Sequence, residues 1–523
     1  MTRRAIFSGI ILLVAAGGLV LRLPGLDRRP MHTDEAVQAV KTGILYDTGV
    51  YRYDPREYHG PTLQYVTVPF LWLSGAKSFA DSTEWPYRLV PVVFGTGLIL
   101  LLLLVGNGLG RPAAVAAGVL TAVSPAMAFY SRYYIHELLL VFFTFAAIAA
   151  GWRYAWSRRV GWAIVAGAAL GLMLATKETW VLAVAAMGLA IFAKLGWRRW
   201  AGYPINLRAI VSLRHLAIAA AAGLAVAFVL FSSFFSNWGG ALDSVRAYTH
   251  YFERSGGAGL HSHPWHYYLT ILLYTHRFAG PWWSEAIIIA LALVGFVAVL
   301  LPRNAPAAAT PLARFIAFYT LFLTAAYAIV PYKTPWCMLG FLHGMILLAG
   351  VGAVVLVRLV PTHLLKGIAI LALAAGAWHL YGQADRACFR FKVDRRNPYV
   401  YAHTGPDLLN LVKLVERVAA ASPDGCGTVV KVIAPEGDYW PLPWYLRRFS
   451  RVGYWSDVPD SPDAPILIAS EAVRETLDAR LGGGYETHTF GLRLSVHLLL
   501  YVRQDLWDAF TEQQKKLAAP SAK

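Results

Sequence analysis

The chain has 523 residues, 57% hydrophobic and 15% charged, with a formal net charge of +17. A soluble chain of this length carries about 25% charged residues, so the deficit assigns much of the chain to lipid and excludes an ordinary soluble enzyme. The positive charge does not indicate nucleic acid, because the basic residues sit in short loops between apolar runs. Three cysteines exclude a disulfide-rich scaffold and Cys-based zinc modules.

A spanning helix needs roughly 20 mostly apolar residues. Candidate cores, in chain order, are 5–21, 87–106, 112–130, 138–155, 160–176, 179–193, 216–235, 286–301, 315–331, 337–357 and 367–382. The first starts with Arg3 and Arg4 and resembles a signal peptide. Arg22, Leu23 and Pro24 follow it in place of a small-residue cleavage site, which predicts an uncleaved span.

The apolar run 61–77 is short and opens on Gly60-Pro61. If it lies along the interface and the N-terminus is cytoplasmic, every short basic loop falls inside. Those loops hold Arg111, then Arg158 and Arg159, then Lys194, Arg198, Arg199, Arg208 and Arg214, then Arg303 and Arg314, then Arg358 and Lys366. The positive-inside rule thus predicts about eleven spans and one interfacial helix, with an extracytoplasmic C-terminus.

After Gly382 the long apolar runs end. The spacing predicts a helix over 406–421, strands over 428–434, 465–470 and 495–502, and a helix over 471–481 closed by three glycines. The chain therefore divides into a transmembrane domain, 1–382, with outer loops 23–86 and 236–285, and an extracytoplasmic α/β domain, 383–523. The segment 440–448 is aromatic and basic, suited to leaning on the membrane or on the outer loops. Cys388 and Cys426 lie in the tail, either paired or free.

The same parity puts the unusual polar residues on the non-cytoplasmic face. Ionisable groups at membrane depth are costly and are functional candidates by default. Asp34 and Glu35 in HTDEA (32–36) are adjacent carboxylates, which suits one of them to act as a base. Thr33 or Asp34 also reads as the cap of the following helix. Glu137, after Arg132 and His136, reads as a metal ligand or as a carboxylate favoured by a helix N-terminus. Lys177 with Glu178, and Lys333 beside Tyr332, read as phosphate holders or as interfacial anchors. His261, His263 and His266 have a weak metal spacing. There is no G-x-x-x-x-G-K-[ST] loop, so no P-loop ATP site is expected.

Three local patterns then resemble a known family. HTDEA (32–36), the segment YHGPTLQYVTVPFLWLSGA…EWPYRLVPVVFG (58–95) and SRYYIHE (131–137), with ATKE (175–178), resemble the GT-C membrane glycosyltransferases. The branch is that of protein O-mannosyltransferases and lipid A aminoarabinose transferases. Within it, YWPLPWYLRRFSRVGYW (439–455) resembles the flippase-activity-associated proteins of archaeal-type glycosylation clusters. Tyr58-His59-Gly60-Pro61 stands where lipid A transferases carry a Glu-Lys pair before the prolines, and Glu137 stands where the family has Asp.

The resemblance implies an inverting transferase using a polyprenyl-phosphate sugar donor and a protein, glycan or lipid acceptor. It implies Asp34 as catalytic base and Glu35 as an orienting carboxylate. His59, Arg132, Lys177 and Lys333 would hold the donor phosphate. Asp34 and Glu137 would share a divalent cation (Mg, Mn or Zn), with Tyr58, His136, Glu178 and Tyr332 lining the substrate site. The competing readings are a transport component or a scaffold subunit of a lipid-linked glycan pathway, without transfer chemistry.

Overall fold

The computed structural model describes residues 3–56, 59–203, 212–255, 261–301 and 310–518. Tyr58, Arg208 and Arg303, singled out above, lie outside the described residues. In lipid a backbone must satisfy its own polar groups, so apolar runs of this length become helices. Among the described residues eight helices are long and apolar enough to cross a membrane: Arg3–Arg22, Glu84–Leu109, Glu137–Ser157, Trp180–Trp200, Leu213–Phe231, Pro311–Ile329, Pro335–Leu359 and His363–Arg390. Three shorter apolar helices, Arg111–Val123, Val160–Leu174 and Ala286–Leu300, overlap the remaining expected runs. The protein is a multi-pass α-helical membrane protein with a small C-terminal sheet domain.

The run 61–77 forms a helix of 13 residues, Thr62–Ser74. At 1.5 Å per residue it reaches only about 20 Å, short of a hydrocarbon core. The expected single run 112–130 is broken. Pro125 cannot continue the preceding helix, so Ser124 ends Arg111–Val123 and caps Pro125–Tyr130 by accepting from the Met127 N–H at 3.3 Å.

The chain forms two compact units: residues 1–26, 49–70 and 86–401, and residues 27–48, 71–85 and 402–523. In the first, glycines allow helices to touch backbone to backbone. A Cβ on Gly167 would lie 2.0 Å from the Ala219 carbonyl oxygen, and one on Gly352 2.0 Å from that of Leu291. Small residues at such crossings are what drives helix association in lipid.

The second unit is built on a five-stranded mixed sheet. Its spatial order is Val452–Trp455, Val430–Ile433, Ile466–Ser470, Val496–Arg503 and Tyr485–Arg493. The first three strands are parallel, and the last two run antiparallel to their neighbours. Ile466–Ser470 is buried throughout, as a central strand covered on both faces must be. The helix Asp407–Ala420 buries Leu408, Leu411, Val412, Val415 and Val418. Elements that were not expected include the two edge strands, one only four residues long and the other polar at its start, and the polar helix Gln504–Ala518.

The aromatic 440–448 segment packs on pieces of the long first loop in this unit. Tyr445 Oη accepts from the Met31 N–H at 2.8 Å, and Trp444 Nε1 donates to Glu84 at 3.0 Å. Arg447 donates to the Ser82 carbonyl. None of the three cysteines forms a disulfide; Cys388 is buried and Cys426 exposed.

Candidate active site

In the first unit, three polar turns at helix ends meet. Gly60 donates to the Thr176 carbonyl at 3.1 Å, and Thr62 donates to Ala175 through both its N–H (3.0 Å) and its hydroxyl (2.7 Å). Only glycine fits at 60, since a Cβ would sit 2.2 Å from the Ala175 oxygen. His136 Nε2 lies 3.2 Å from the Gly60 carbonyl, so that nitrogen carries the proton. His136 is also the N-cap of Glu137–Ser157, which places Glu137 in the first turn, where the helix dipole favours a carboxylate.

The Lys177 ammonium donates to the Glu137 carboxylate, and both side chains are buried. Burial works against the lysine's charge, but Glu137 more than offsets it, holding Lys177 well above the usual lysine range. Beside this pair, His59 Nδ1 lies 3.0 Å from Glu178 Oε2, and the His59 and His136 rings are 4.9 Å apart. Five predicted residues therefore converge: His59, His136, Glu137, Lys177 and Glu178. A cavity of about 20 Å³ opens against the ion pair, lined also by Thr144, Tyr319, Tyr327 and Cys337. Sequence reasoning missed these four; polar and aromatic residues at helical spacing inside apolar spans were the available signal.

The other predicted cations have different surroundings. Arg132 donates to the Arg22 carbonyl at 2.6 Å and to Gly25 at 3.2 Å, with its guanidinium 4.8 Å from the Phe389 ring centroid. It fastens the chain leaving the first helix. Lys333 is buried, donating to the carbonyls of Val330 and of His263, the latter at 3.2 Å. Burial lowers its pKa. Tyr332 packs against the His261 ring, and His261 Nδ1 lies 2.6 Å from the Tyr401 hydroxyl.

Asp34 and Glu35 belong to the second unit, where their environments differ sharply. The Glu35 carboxylate is fully buried, accepting from Arg29 at 2.8 Å and from the His32 N–H at 3.0 Å. His32 Nδ1 accepts from the Asp34 N–H at 3.1 Å. The helix cap is therefore His32, with Glu35 reaching back to it as in a capping box, and not Thr33 or Asp34 as the residue types suggested. The Asp34 side chain is 48% exposed. Its carboxylate accepts no hydrogen bond among the described residues and lies 4.0 Å from His32 Nδ1. A carboxylate at a helix N-terminus with its oxygens open to a ligand has the form of a general base.

Among the described residues no group of three or more His, Cys, Asp or Glu side chains is placed to hold a metal ion. The expected cation does not fit the Glu137 site, because that carboxylate is committed to Lys177. The His261, His263 and His266 rings pack instead against Tyr401, Tyr267 and Trp265.

A multi-pass helical membrane protein with a polar cluster at the ends of apolar helices is what the fold and these sites define. The family model described as dolichyl-phosphate-mannose-protein mannosyltransferase matches residues 57–237. No curated protein sequence matches the chain. ArnT from Cupriavidus metallidurans, solved with undecaprenyl phosphate, superposes with a TM-score of 0.64 at 15% identity, over 95% of this chain and 99% of that one. The oligosaccharyltransferase AglB from Archaeoglobus fulgidus, solved with an inhibitory peptide and a dolichol-phosphate, superposes at 0.54 and 12% identity, over 96% and 77%. An Archaeoglobus fulgidus oligosaccharyltransferase solved with Zn and sulfate gives 0.55 and 13%, over 96% and 76%. Residues 57–237 are thus similar to the protein mannosyltransferase family, and the chain shares the fold of these solved membrane enzymes.

Proposed function

We propose that the protein transfers a sugar from a polyprenyl-phosphate donor to a protein, glycan or lipid acceptor on the non-cytoplasmic face of a membrane. The observation that carries this reading is the half-exposed Asp34 carboxylate, which accepts no hydrogen bond from the described residues. Fold likeness to ArnT, whose structure holds undecaprenyl phosphate, supports the donor class.

Asp34 takes the proton of an acceptor hydroxyl as its oxygen attacks the anomeric carbon. The bond from that carbon to the phosphate oxygen breaks, and its electron pair leaves with the polyprenyl phosphate. Glu35, locked by Arg29 and the His32 N–H, holds the helix start that presents Asp34. Charge on the departing phosphate is offset by Lys333 and Arg132, the basic residues that the family resemblance assigns to it. Lys177 and His59 offer donors to the phosphate while keeping their carboxylate partners Glu137 and Glu178. Glu137 stays with the protein cation, so no step is routed through a metal.

The test uses the full chain in proteoliposomes with a labelled polyprenyl-phosphate sugar and separate protein, glycan and lipid acceptors. Transfer by the native chain, and its loss in Asp34→Asn with the donor still bound, is the expected result. Transfer undiminished in Asp34→Asn would remove the base assignment. Movement of the donor across the bilayer with no transfer to any acceptor would overturn the enzymatic reading in favour of transport.

A further inference from the structure

A second cleft, of about 430 Å³, lies in the first unit and has no part in the proposed chemistry. It is lined by His266, Tyr267, Thr270, Tyr274, His276 and Arg277. Its frame is a short helix, Tyr267–Leu273, and a hairpin of Thr275–His276 with Trp282–Trp283. Three bonds pin this frame to the starts or ends of apolar helices. Glu285 N–H donates to the Leu272 carbonyl at 2.7 Å, Ser284 N–H donates to Gln383 at 2.8 Å, and Gln383 Nε2 donates back to Ser284 at 2.9 Å. The next helix, Ala286–Leu300, is apolar throughout. The cleft therefore sits at the level where a helix enters the hydrocarbon.

Two features define what it would hold. Around it, Trp265, Tyr274, Phe278 and Trp282 are each more than half exposed. Exposed aromatics at a helix end form the belt found at headgroup depth. Within it, Arg277 has no carboxylate partner and no side-chain hydrogen bond among the described residues. The flanking segment adds Arg386, whose guanidinium lies 5.9 Å from the Trp283 ring, and Arg395, 5.3 Å from that of Phe278. The nearby Asp394 is already bound to Arg396, and Glu285 is buried under three donors. The surface is thus cationic, pre-formed and ringed by aromatics. Basic pockets beside spanning helices select anionic headgroups.

We infer that the cleft built on His266, His276 and Arg277 binds the phosphate headgroup of an anionic membrane phosphoglyceride. The guanidinium takes the phosphate in a forked, charge-assisted contact, and the aromatic rim covers the glycerol and upper acyl region. A lipid seated here braces the hairpin against Ala286–Leu300 and His363–Asp385.

The experiment is native mass spectrometry of the purified full chain in detergent, titrated with phosphatidylglycerol and with phosphatidylcholine of the same acyl chains. The native chain is expected to retain phosphatidylglycerol preferentially. Arg277→Ala lowers its affinity by about tenfold or more, through loss of the forked charge-assisted contact, and leaves phosphatidylcholine unchanged. Arg277 braces nothing in the protein, so the lipid-free unfolding temperature stays the same; a paired His266→Gln and His276→Gln variant gives an independent reading of the cleft. Equal retention of both lipids, or a preference untouched in both variants, would overturn the inference. So would displacement by inorganic phosphate at matched concentration, or Arg277-dependent binding of polyprenyl phosphate alone. Binding is read without transfer, so failure here leaves the catalytic proposal standing.

Discussion

The Lys177 ammonium is bound to the Glu137 carboxylate with both side chains buried, although 40 positions separate them. Removing one partner strands the other charge where water does not reach. Lys177→Met should therefore destabilise the chain by about 3–5 kcal/mol, and Glu137→Gln should act in the same direction. The double variant should recover much of the loss, since neither charge is then left alone. Denaturant unfolding of the three variants in detergent checks this. The pH dependence has a definite sign. Lys177 is held above the ordinary lysine value of 10.5, so its contribution is complete below that pH and fades only as pH rises through the higher folded value.

The adjacent carboxylates Asp34 and Glu35 should separate into function and stability. Glu35→Gln breaks a buried contact to Arg29, with an expected loss of about 3 kcal/mol or more. Asp34→Asn touches a half-exposed group and should shift stability by about 0.5 kcal/mol or less. Unfolding temperature and transfer activity, measured on the same preparations, should therefore rank the two variants in opposite orders. A large stability loss in Asp34→Asn would mean that its effect on transfer says nothing about chemistry.

That contrast marks where sequence reasoning ends. Apolar runs are local, so the helices were legible from hydropathy, and the shortness of the helix within 61–77 was legible from the length of its run. The break at Ser124-Pro125 carried its signal in the proline, but the run around it is apolar on both sides. Which of two neighbouring carboxylates is buried depends on Arg29 folding back over Glu35 and on His32 accepting from Asp34, and neither is visible in residue types. The Glu137–Lys177 pairing is a long-range contact between two turns, whereas the sequence offered each residue only a role on its own. The strand Tyr485–Arg493 was invisible because its polar start, with Glu486, Thr487, His488 and Thr489, carries no apolar run; its partner Val496–Arg503 defines it.

Helix crossing supplies a sterically defined test. Gly171 faces the Gly223 carbonyl oxygen, which a Cβ would approach to 2.2 Å. Gly171→Val should force Val160–Leu174 away from Leu213–Phe231 and cost about 1–3 kcal/mol, the usual range for overpacking. Gly188→Ala is the control, because nothing lies within 4 Å of its added methyl. In a helix that change should be neutral or slightly stabilising. Equal unfolding temperatures for both variants would contradict the crossing.

The loop 261–267 should weaken in acid. His263 stacks on Tyr267 with centroids 4.1 Å apart. Burial, and then the charges of His261, Lys333 and Arg277, hold its pKa below the ordinary 6.5. A depressed histidine favours the folded state while neutral, so the stability it supplies is present above pH 6.5 and is lost as pH falls through the folded value. Unfolding temperature should drop between pH 7.5 and 5, with a shallower slope in His263→Gln. An identical slope in both proteins would assign the acid sensitivity elsewhere.

Glu285 is a fully buried carboxylate held by three donors. It accepts from the Ser124 hydroxyl at 2.5 Å, the Ala126 N–H at 2.9 Å and the Tyr399 hydroxyl at 2.8 Å. Tyr130 in turn donates to the Tyr399 carbonyl at 2.8 Å. These contacts tie the Ser124 break to the Tyr399 segment and to the start of Ala286–Leu300. Glu285→Ala leaves buried donors without an acceptor, each worth about 1–3 kcal/mol, so it should be among the most destabilising substitutions in the chain. Tyr399→Phe removes one donor and leaves two, and should cost about 1 kcal/mol. The order Glu285→Ala far below Tyr399→Phe in unfolding temperature is the expected outcome. If Tyr399→Phe proved the more damaging, the carboxylate would not be the centre of the network.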